Sequence, residues 1–352
     1  MSSFWKGKKV FLTGHSGFKG TWLTAYLIDA GAEVIGYSLP PVDKSMFTQL
    51  KLGEIIKSHW QDIRDFEQLK KSLLSSKAEI VIHMAAQALV KSGYEHPVEN
   101  FSTNVMGTVN LFEACRFSTN LAVVINVTTD KVYRHSQEPR VFSEEDALGG
   151  NDPYSASKAC SDLISECYST SFFRNTGVNI ASARSGNVIG GGDWAENRLI
   201  PDIVRATLNR STLEIRNPNF VRPWQHVLDA NEGYLRLAEY LYIKKESGDK
   251  NSFNFAPTGE EKTVLDIVKF VTEKYPQLAL MYKIIPSDFH EEPYLRLNPS
   301  RSKTYLEWET ILTFEKTVGF TFDWYTRVQS GKDAMSETMS QIKEFQKLKT
   351  KS

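Results

Sequence analysis

The chain has 352 residues, of which 41% are hydrophobic and 24% are charged, as in an ordinary globular protein. Lysine plus arginine equals aspartate plus glutamate at 42 each, so the net charge is zero and nonspecific binding to nucleic acid is not expected. The sequence shows neither a signal peptide nor an apolar run long enough to span a membrane, which predicts a cytoplasmic protein with no membrane partner.

The first half of the chain alternates short apolar runs with stretches of helical periodicity. In chain order the pattern predicts a strand at 9–13, a helix at 20–30, a strand at 33–37, a helix at 66–75, a strand at 80–84, a helix at 98–115, a strand at 122–127, a helix at 153–173 and a strand at 178–183. Such alternation predicts a Rossmann-type doubly wound α/β fold with a parallel sheet.

After about residue 185 the alternation stops, and glycine, proline and asparagine become frequent. We therefore expect a first domain over 1–184 together with part of 220–257, and a smaller α/β lobe over 185–219 and 258–325. A polar tail over 326–352 is expected to form a surface helix with a frayed end. The cysteines, Cys115, Cys160 and Cys167, form no metal-binding spacing, so no metal is expected and a reducing compartment is favoured.

Glycines at 14, 17 and 20 stand between the first predicted strand and the first predicted helix. Here Gly14 allows a tight turn, Gly17 lets a phosphate approach the backbone, and Gly20 lets the helix pack against the sheet. Free N–H groups at the helix start would bind the phosphates. The loop predicts a dinucleotide site rather than a ligand-free turn, formed by Gly14, His15, Ser16, Gly17, Phe18, Lys19 and Gly20.

The end of the second strand bears on the choice between NAD and NADP. Ser38 stands near the point where an acid normally binds the adenosine ribose, and no arginine is there for a 2′-phosphate. NAD is therefore the predicted cofactor, with NADP the alternative. Asp62 and Ile63 are candidates for the adenine edge, unless they form only an ordinary helix N-cap region.

Two groups of residues predict acid–base chemistry. Tyr154 and Lys158 are four residues apart, so they share a helix face, and a fixed cation can bring a phenol into the range of a general base. Thr129, Asp130 and Lys131 follow the strand at 122–127, whose end faces the crevice of an open parallel sheet. Surface ion pairs are the alternative, but acids and bases gathered in a crevice favour an active site.

These motifs, with GGGDW at 190–194 and RPWQHV at 222–227, resemble the extended short-chain dehydrogenase/reductases that modify nucleotide sugars. The likeness is greatest to the CDP-glucose 4,6-dehydratases and reaches from the N-terminus to about residue 300. It implies that CDP-glucose or a related nucleotide sugar is oxidised at C4 with NAD, loses water across C5 and C6, and is reduced at C6.

The resemblance also implies a role for each acid–base residue. Tyr154 would take the proton of the 4-OH, Lys158 would lower the phenol pKa and hold the nicotinamide ribose, and Thr129 would bond the sugar O4. Asp130 would protonate the departing 6-OH. Lys131 stands where dTDP-glucose enzymes have a glutamate as the C5 base, and it would act either as that base or as a stabiliser of the enolate.

Further contacts follow from the same resemblance. Cofactor contacts are expected from Ala85, Ala86, Gln87 and Asn104. Substrate contacts are expected from Asn187, Asn197, Arg198, Leu199, Arg222 and Arg301. Trp194 and Trp224 would shape the pocket or simply pack, and His226 would be structural. The remaining family-like pair, His290 and Glu291, has no derivable role.

The helices at 98–115 and 153–173 correspond to those of a four-helix dimer interface in the family, so a homodimer is expected.

Other functional classes remain open. A carbonyl reductase would use Tyr154 and Lys158 without the acid–lysine couple, and an epimerase would share fold and substrate. A non-catalytic dinucleotide-binding protein would not need the full set of five acid–base residues. Reaction stoichiometry separates the enzymes, because a dehydratase loses water without net redox change.

Overall fold

The computed structural model describes residues 3–134, 139–244, 251–259, 261–286 and 292–350. Its strands are β1 (Lys9–Thr13), β2 (Glu33–Ser38), β3 (Lys57–Trp60), β4 (Ile80–His83), β5 (Val123–Val127), β6 (Asn179–Ser185), β7 (Val188–Ile189), β8 (Leu213–Ile215), β9 (Val221–Arg222), β10 (Gln225–His226), β11 (Ser252–Phe255), β12 (Lys262–Thr263) and β13 (Tyr282–Ile284).

The helices surround these strands. They are α1 (Phe18–Asp29), α2 (Met46–Gln49), α3 (Phe66–Ser76), α4 (Val90–Glu95), α5 (Pro97–Phe101), α6 (Gly107–Cys115), α7 (Pro153–Ser171), α8 (Leu199–Asn209), α9 (Val227–Lys244), α10 (Val264–Lys274), α11 (Ser300–Leu306), α12 (Phe314–Gln329) and α13 (Ala334–Lys349). A short 3-10 turn over Asp130–Val132 follows β5.

Within the described residues, the main sheet has seven strands in the order β3-β2-β1-β4-β5-β6-β11, and every neighbouring pair is parallel. The apolar runs of β1, β4 and β5 are buried on both faces, as helix-covered parallel strands require. The predicted doubly wound α/β fold is confirmed. Strand order reverses between β1 and β4, and ligands bind at such a switch point.

Two strands of the sheet lie outside the predicted pattern. β3 has the polar sequence Lys-Ser-His-Trp and forms one edge of the sheet, so it carries little apolar signal. β11 forms the other edge beside β6 and is separated from it in sequence by the short strands β7 to β10 and the helices α8 and α9. The chain therefore returns to the first sheet after the alternation of strands and helices has ended.

The helix expected at 98–115 is interrupted in the structure. It consists of α5, a π-helical segment over Ser102–Met106 and α6, and it is preceded by the unexpected helix α4. A π-helical segment changes the direction of side chains along a helix, and such segments are frequent at functional sites. Asn104 lies in this segment and is buried.

The C-terminal segment corrects the expectation of a frayed surface helix. α13 packs against α1, α2 and α12, and Ile342 and Phe345 are fully buried. Its polar side chains also reach the body of the protein, where Gln346 donates to Asp29 over 2.8 Å and Lys349 pairs with Glu232. The composition of the tail is polar, but its few apolar residues share one helix face.

Among the described residues, every helix is too short or too polar to cross a bilayer.

Candidate active site

The glycine loop joins β1 to α1 with the geometry that its spacing predicts. Gly14 has a φ of 71°, and a Cβ there would lie 2.7 Å from the Ala85 nitrogen. A Cβ on Gly20 would lie 2.2 Å from the Gly14 carbonyl oxygen, so only glycine allows this approach. Gly17 caps α1 without a side-chain hydrogen bond. The first N–H groups of α1 are therefore available to an anion.

His15 contributes to this loop by packing. Its ring is buried, stacks on Trp60 with centroids 5.0 Å apart, and bonds Ser58 Oγ through Nε2 over 3.0 Å. Burial lowers the pKa of His15 to about 4, so the ring is neutral at working pH. A Cβ on Gly36 would collide with this ring, which shows how closely it lies over β2.

The structure brings together some of the residues predicted for the adenosine half. Ser16 Oγ lies 2.6 Å from Ser38 Oγ at the end of β2, so two hydroxyls stand where an acid is usual. Asp62 binds Arg64, whose hydrogen bonds lower the pKa of the Asp62 carboxyl. Ile63 is buried in the core beneath α6. Neither Asp62 nor Ile63 lines the central cleft.

Asn104 fixes the segment after β4 to the helix that carries Tyr154. Its Oδ1 accepts from the Gln87 nitrogen over 2.8 Å, and its Nδ2 donates to Ser157 Oγ over 2.9 Å. The Ala85 nitrogen is in turn held by Thr13 Oγ1 at 3.1 Å. Asn104 thus positions the segment of residues 85–87, of which Ala86 lines the cleft.

A central cleft of about 370 Å³ opens at the carboxyl ends of the sheet strands. It draws its walls from the glycine loop, the segments after β4, β5 and β6, helix α7 and the small sheets of the second half. The predicted site residues that line it are Phe18, Lys19, Ala86, Thr129, Asp130, Lys131, Tyr154, Lys158, Asn187, Asn197, Arg198, Leu199 and Arg222. Acid–base groups from distant parts of the chain therefore face one space.

Asp130 is 1% exposed, and its carboxylate lies directly against the backbone of Gly186. Its Oδ1 accepts from Thr129 Oγ1 over 3.0 Å, while its Oδ2 has no hydrogen-bond partner among the described residues. A Cβ on Gly186 would lie 1.8 Å from Oδ2, so the missing side chain at 186 makes the space that the carboxylate occupies. Lys131 follows in the 3-10 turn, where its backbone N–H donates to Thr129 Oγ1.

Tyr154 and Lys158 share one face of α7, as their spacing predicts. Lys158 Nζ donates to the Val127 carbonyl over 2.9 Å, and burial lowers the pKa of Lys158 to about 8 against an opposing effect of Asp162. Burial raises the pKa of Tyr154 to about 12, against the opposing effects of its hydrogen bond with Thr129 and of the charge of Arg198. Burial thus outweighs the neighbouring charges, so the expected lowering of the phenol pKa is not seen in this structure.

Lys19 is a further cation at this point. Its Nζ lies 3.5 Å from the Tyr234 hydroxyl, and Tyr234 bonds Ser185 at the end of β6. Burial lowers the pKa of Lys19 to about 7, and the charges of Lys158 and Arg198 act in the same direction. The glycine loop therefore supplies a titratable side chain to the cleft in addition to its backbone.

The predicted substrate residues divide into two groups. Arg198 pairs with Asp193 at 3.1 Å, and the guanidinium of Arg222 lies 5.0 Å from the ring centre of Phe220. Both line the cleft. Arg301 does not, which corrects its assignment. It lies on α11, donates to the Ser252 carbonyl over 2.9 Å and pairs with Glu145, because acidic residues of the segment after β5 face that helix.

Sequence reasoning missed several residues of the cleft. Arg216 follows β8 and donates to Asn197 Oδ1 over 3.4 Å; its signal in the sequence is only a basic residue after a short alternating run. The other residues missed include Lys91, Asp193, Glu214 and Phe220. Of the two tryptophans, Trp224 lines the cleft and Trp194 packs on Tyr325 with ring centroids 5.3 Å apart.

The histidines of the second half have different outcomes. His226 is fully buried, and burial lowers its pKa to about 3, in keeping with the structural role predicted for it. Its Nδ1 accepts from the Leu228 nitrogen. His290 and Glu291 lie outside the described residues.

Comparison with known proteins gives one family and several relatives. The family model described as GDP-mannose 4,6 dehydratase matches residues 11–320. A CDP-glucose 4,6-dehydratase of Salmonella typhimurium is 41% identical over 356 aligned residues, covering 99% of each chain.

Solved structures share the fold at low identity. A dTDP-glucose 4,6-dehydratase of Bacillus anthracis in complex with NAD has a TM-score of 0.77 at 22% identity, with 92% of this chain and 98% of that chain covered. A UDP-glucose 4-epimerase of Thermotoga maritima with UDP-glucose has a TM-score of 0.78 at 22% identity, with 91% and 99% covered.

Proposed function

The chain belongs to the GDP-mannose 4,6 dehydratase family, and we propose that within it the protein is a CDP-glucose 4,6-dehydratase. It would convert CDP-D-glucose to CDP-4-keto-6-deoxy-D-glucose. The observation that carries this proposal is the meeting of Asp130, Lys131, Tyr154 and Lys158 in one cleft beside the glycine loop. Identity of 41% over the full length to a CDP-glucose enzyme supports the choice of nucleotide.

The residues fit NAD as the cofactor. The uncapped start of α1 offers N–H groups to a diphosphate, and the Ser16–Ser38 hydroxyl pair offers hydrogen bonds to the adenosine ribose. Lys158 would hold the nicotinamide ribose. When bound, NAD supplies the acceptor and later the donor of a hydride, so the cofactor is unchanged over a complete turnover.

The first step needs a base for the 4-OH, and Tyr154 would receive that proton. Because burial raises its pKa to about 12, the phenol is protonated at neutral pH in this structure. The charge of Lys158 would favour the phenolate when the phenol approaches it. Thr129, which bonds the neighbouring acid, would also bond the sugar O4. We therefore expect the rate of C4 oxidation to rise with pH until Lys158 loses its proton.

The second step removes water from the 4-keto sugar. The ketone makes the C5 proton acidic, and Lys131 would accept this proton or stabilise the resulting enolate. Asp130 would give a proton to the departing 6-OH, so that water leaves as the C5–C6 double bond forms. The unpaired Oδ2 of Asp130 supports this role, since it is a buried carboxyl oxygen at the cleft wall that would carry the proton and has no other partner among the described residues.

The nucleoside diphosphate would occupy the second half of the cleft. Arg198 and Arg222 bring positive charge there, and Asn187, Asn197 and Leu199 complete the wall. We propose accordingly that residues 1–184 with part of 220–257 serve the cofactor, and that 185–219 and 258–325 serve the substrate. In this scheme Arg216 joins the substrate residues and Arg301 leaves them.

We also propose a homodimer through the helices at 98–115 and 153–173. These carry large apolar side chains that are open to solvent in the single chain: Val98 is 82% exposed, and Met106 and Leu163 are 51% exposed. Leu163→Glu should give a monomer by light scattering, whereas Glu166→Gln on the same helix should not.

A cytoplasmic location is also proposed, since Cys115, Cys160 and Cys167 are unpaired.

The decisive experiment is incubation of the purified protein and NAD with CDP-, dTDP-, UDP- and GDP-glucose. The 4-keto product is detected by its absorbance in alkali, and loss of water by mass spectrometry. We expect CDP-glucose to be consumed without net change of the cofactor. Net cofactor consumption would indicate a reductase, a change of configuration alone an epimerase, and no turnover a non-catalytic protein.

A further inference from the structure

A buried ion pair lies behind the cleft, between α7 and β6. Arg184 Nε donates to Asp162 Oδ2 over 2.9 Å, and Arg184 Nη2 donates to Oδ1 over 2.8 Å. The two side chains are 4% and 5% exposed. Thr128 Oγ1 adds a third hydrogen bond to Asp162 Oδ2 at 2.9 Å. Three hydrogen bonds therefore hold the carboxylate; of its two partners, Thr128 lines the cleft and Arg184 does not.

Asp162 follows Lys158 by one helical turn, so both side chains lie on the same face of α7. Lys158 bonds the carbonyl of Val127, and Asp162 is bonded by the hydroxyl of the next residue, Thr128. Two consecutive residues at the end of β5 thus fix two consecutive turns of the helix. The Lys158 side chain is held where Asp162 can act on it.

Arg184 extends this arrangement to the segment that follows Lys131. Its Nη1 donates to the Tyr133 hydroxyl over 2.9 Å and to the Glu144 carbonyl over 3.3 Å. Tyr133 in turn donates to Asn254 Oδ1 over 2.6 Å. Because one guanidinium binds α7 and this segment together, Asp162 cannot rotate away from its position without breaking several buried hydrogen bonds.

We propose that Asp162, held by Arg184, is a positioning residue that keeps the Lys158 side chain charged beside the catalytic phenol. The inference rests on the proposed function for the role of Lys158. An ammonium taken from water into this site is disfavoured unless a negative charge is near it.

Among the described residues, the other groups that face Lys158 do not provide that negative charge. Lys19 from α1 is a cation, His83 from β4 is neutral because burial lowers its pKa to about 3, and Tyr154 on α7 is protonated at rest. Asp130 lines the same cleft, but its charge acts on Lys19, whose pKa it raises. Asp162 is the group that raises the pKa of Lys158 against burial. Without it, Lys158 would lose its proton at lower pH.

The test is the pH profile of C4 oxidation in single turnover, followed by the absorbance of the reduced cofactor. In Asp162→Asn, the alkaline limb should move to lower pH by about one unit, the size expected for loss of a nearby opposite charge. Glu166→Gln is the matched control, because it removes a carboxylate from the same helix at an exposed position. An alkaline limb that stays in place in Asp162→Asn overturns the proposal.

Asp162→Asn leaves the Arg184 charge buried, which can weaken folding. The double variant Asp162→Asn with Arg184→Met removes both charges and should show a smaller shift in the same direction, because loss of the Arg184 cation offsets part of the loss of the carboxylate. A wild-type profile there also overturns the proposal. Titration of the lysine Nζ signals by NMR, with Lys158→Arg for assignment, needs no turnover. If the wild type dehydrates none of the sugars, the function fails, and the NMR shift still decides the role of Asp162.

Discussion

Gly186 has no Cβ, and the position of the proposed acid Asp130 depends on this. The Asp130 carboxylate occupies the volume that a side chain at 186 would fill, and a Cβ there would lie 1.8 Å from Oδ2. Gln225 Nε2 donates to the Gly186 carbonyl over 3.3 Å and to the Phe255 carbonyl over 2.8 Å, which limits movement of this backbone. The position of the proposed acid therefore depends on a residue 56 positions further along the chain.

Gly186→Ala should displace the acid while leaving the phenol in place. We expect C4 oxidation to continue, while loss of water falls by about 100-fold or more, the usual contribution of a general acid. Asp130→Asn should give the same result, because both changes remove a proton donor from the 6-OH. Single-turnover measurement of reduced cofactor and of 6-deoxy product separates the steps. Dehydration at the normal rate in either variant would contradict the acid assignment.

Tyr154→Phe tests the first step. The change removes only the hydroxyl that receives the 4-OH proton, so turnover should fall by about 100- to 10,000-fold. Binding of NAD should be nearly unchanged, because the glycine loop and Lys158 remain. Calorimetric titration with NAD, beside the activity assay, checks both parts. Loss of NAD binding would show that Tyr154 has a structural role instead.

At the scale of elements, α13 shows how a polar sequence can still form part of the core. Phe345 is fully buried and meets Tyr26 of α1 with ring centroids 6.3 Å apart. Tyr26 donates to Glu232 of α9 over 2.7 Å, and Lys349 of α13 pairs with the same carboxylate. The last helix therefore fastens α1, the helix that begins at the glycine loop, to α9.

Phe345→Ala should reduce the free energy of unfolding by about 3 to 5 kcal/mol, as for other fully buried aromatic residues. Lys343→Ala on the exposed face of the same helix should have little effect. Urea unfolding followed by circular dichroism compares the two variants. Equal stability of both would mean that α13 is not packed as described.

At the scale of the whole molecule, buried neutral histidines predict acid sensitivity. Burial lowers the pKa of His15 to about 4, and those of His83 and His226 to about 3. The unfolded chain, with histidine pKa values near 6.5, therefore binds protons first as pH falls. Stability is fully present above pH of about 6.5 and is lost below it, by up to about 1.4 kcal/mol per pH unit for each histidine.

Asp229 changes the pH dependence of stability in the opposite direction. Burial raises its pKa to about 7, so its contribution is present at low pH and is lost as pH rises through about 7. One group of this kind offsets only part of the effect of His15, His83 and His226.

Urea midpoints at pH of about 7.5 and 5.5 should therefore fall with acid, and His226→Asn should reduce the fall relative to the exposed control His96→Asn. A midpoint that is independent of pH would contradict the burial of these rings.

The sequence by itself determined the features that depend on local spacing. The glycines at 14, 17 and 20 define a turn and a helix start, and residues 154 and 158 share a helix face, because a few bonds of backbone decide these geometries. The alternation of apolar runs and helices determined the parallel sheet. The family resemblance then gave Asp130 and Lys131 their proposed roles.

Only the tertiary structure decided what depends on contacts between distant segments. In the folded chain Arg216 lines the cleft, whereas Arg301 pairs with Glu145. Asp130 lies against Gly186, and Asp162 pairs with Arg184. A charged residue carries the same signal in the sequence whether it meets a substrate or a neighbouring carboxylate. The difference lies in which strand ends and helices the folded chain brings together, and residues far apart in sequence meet only when the core has formed.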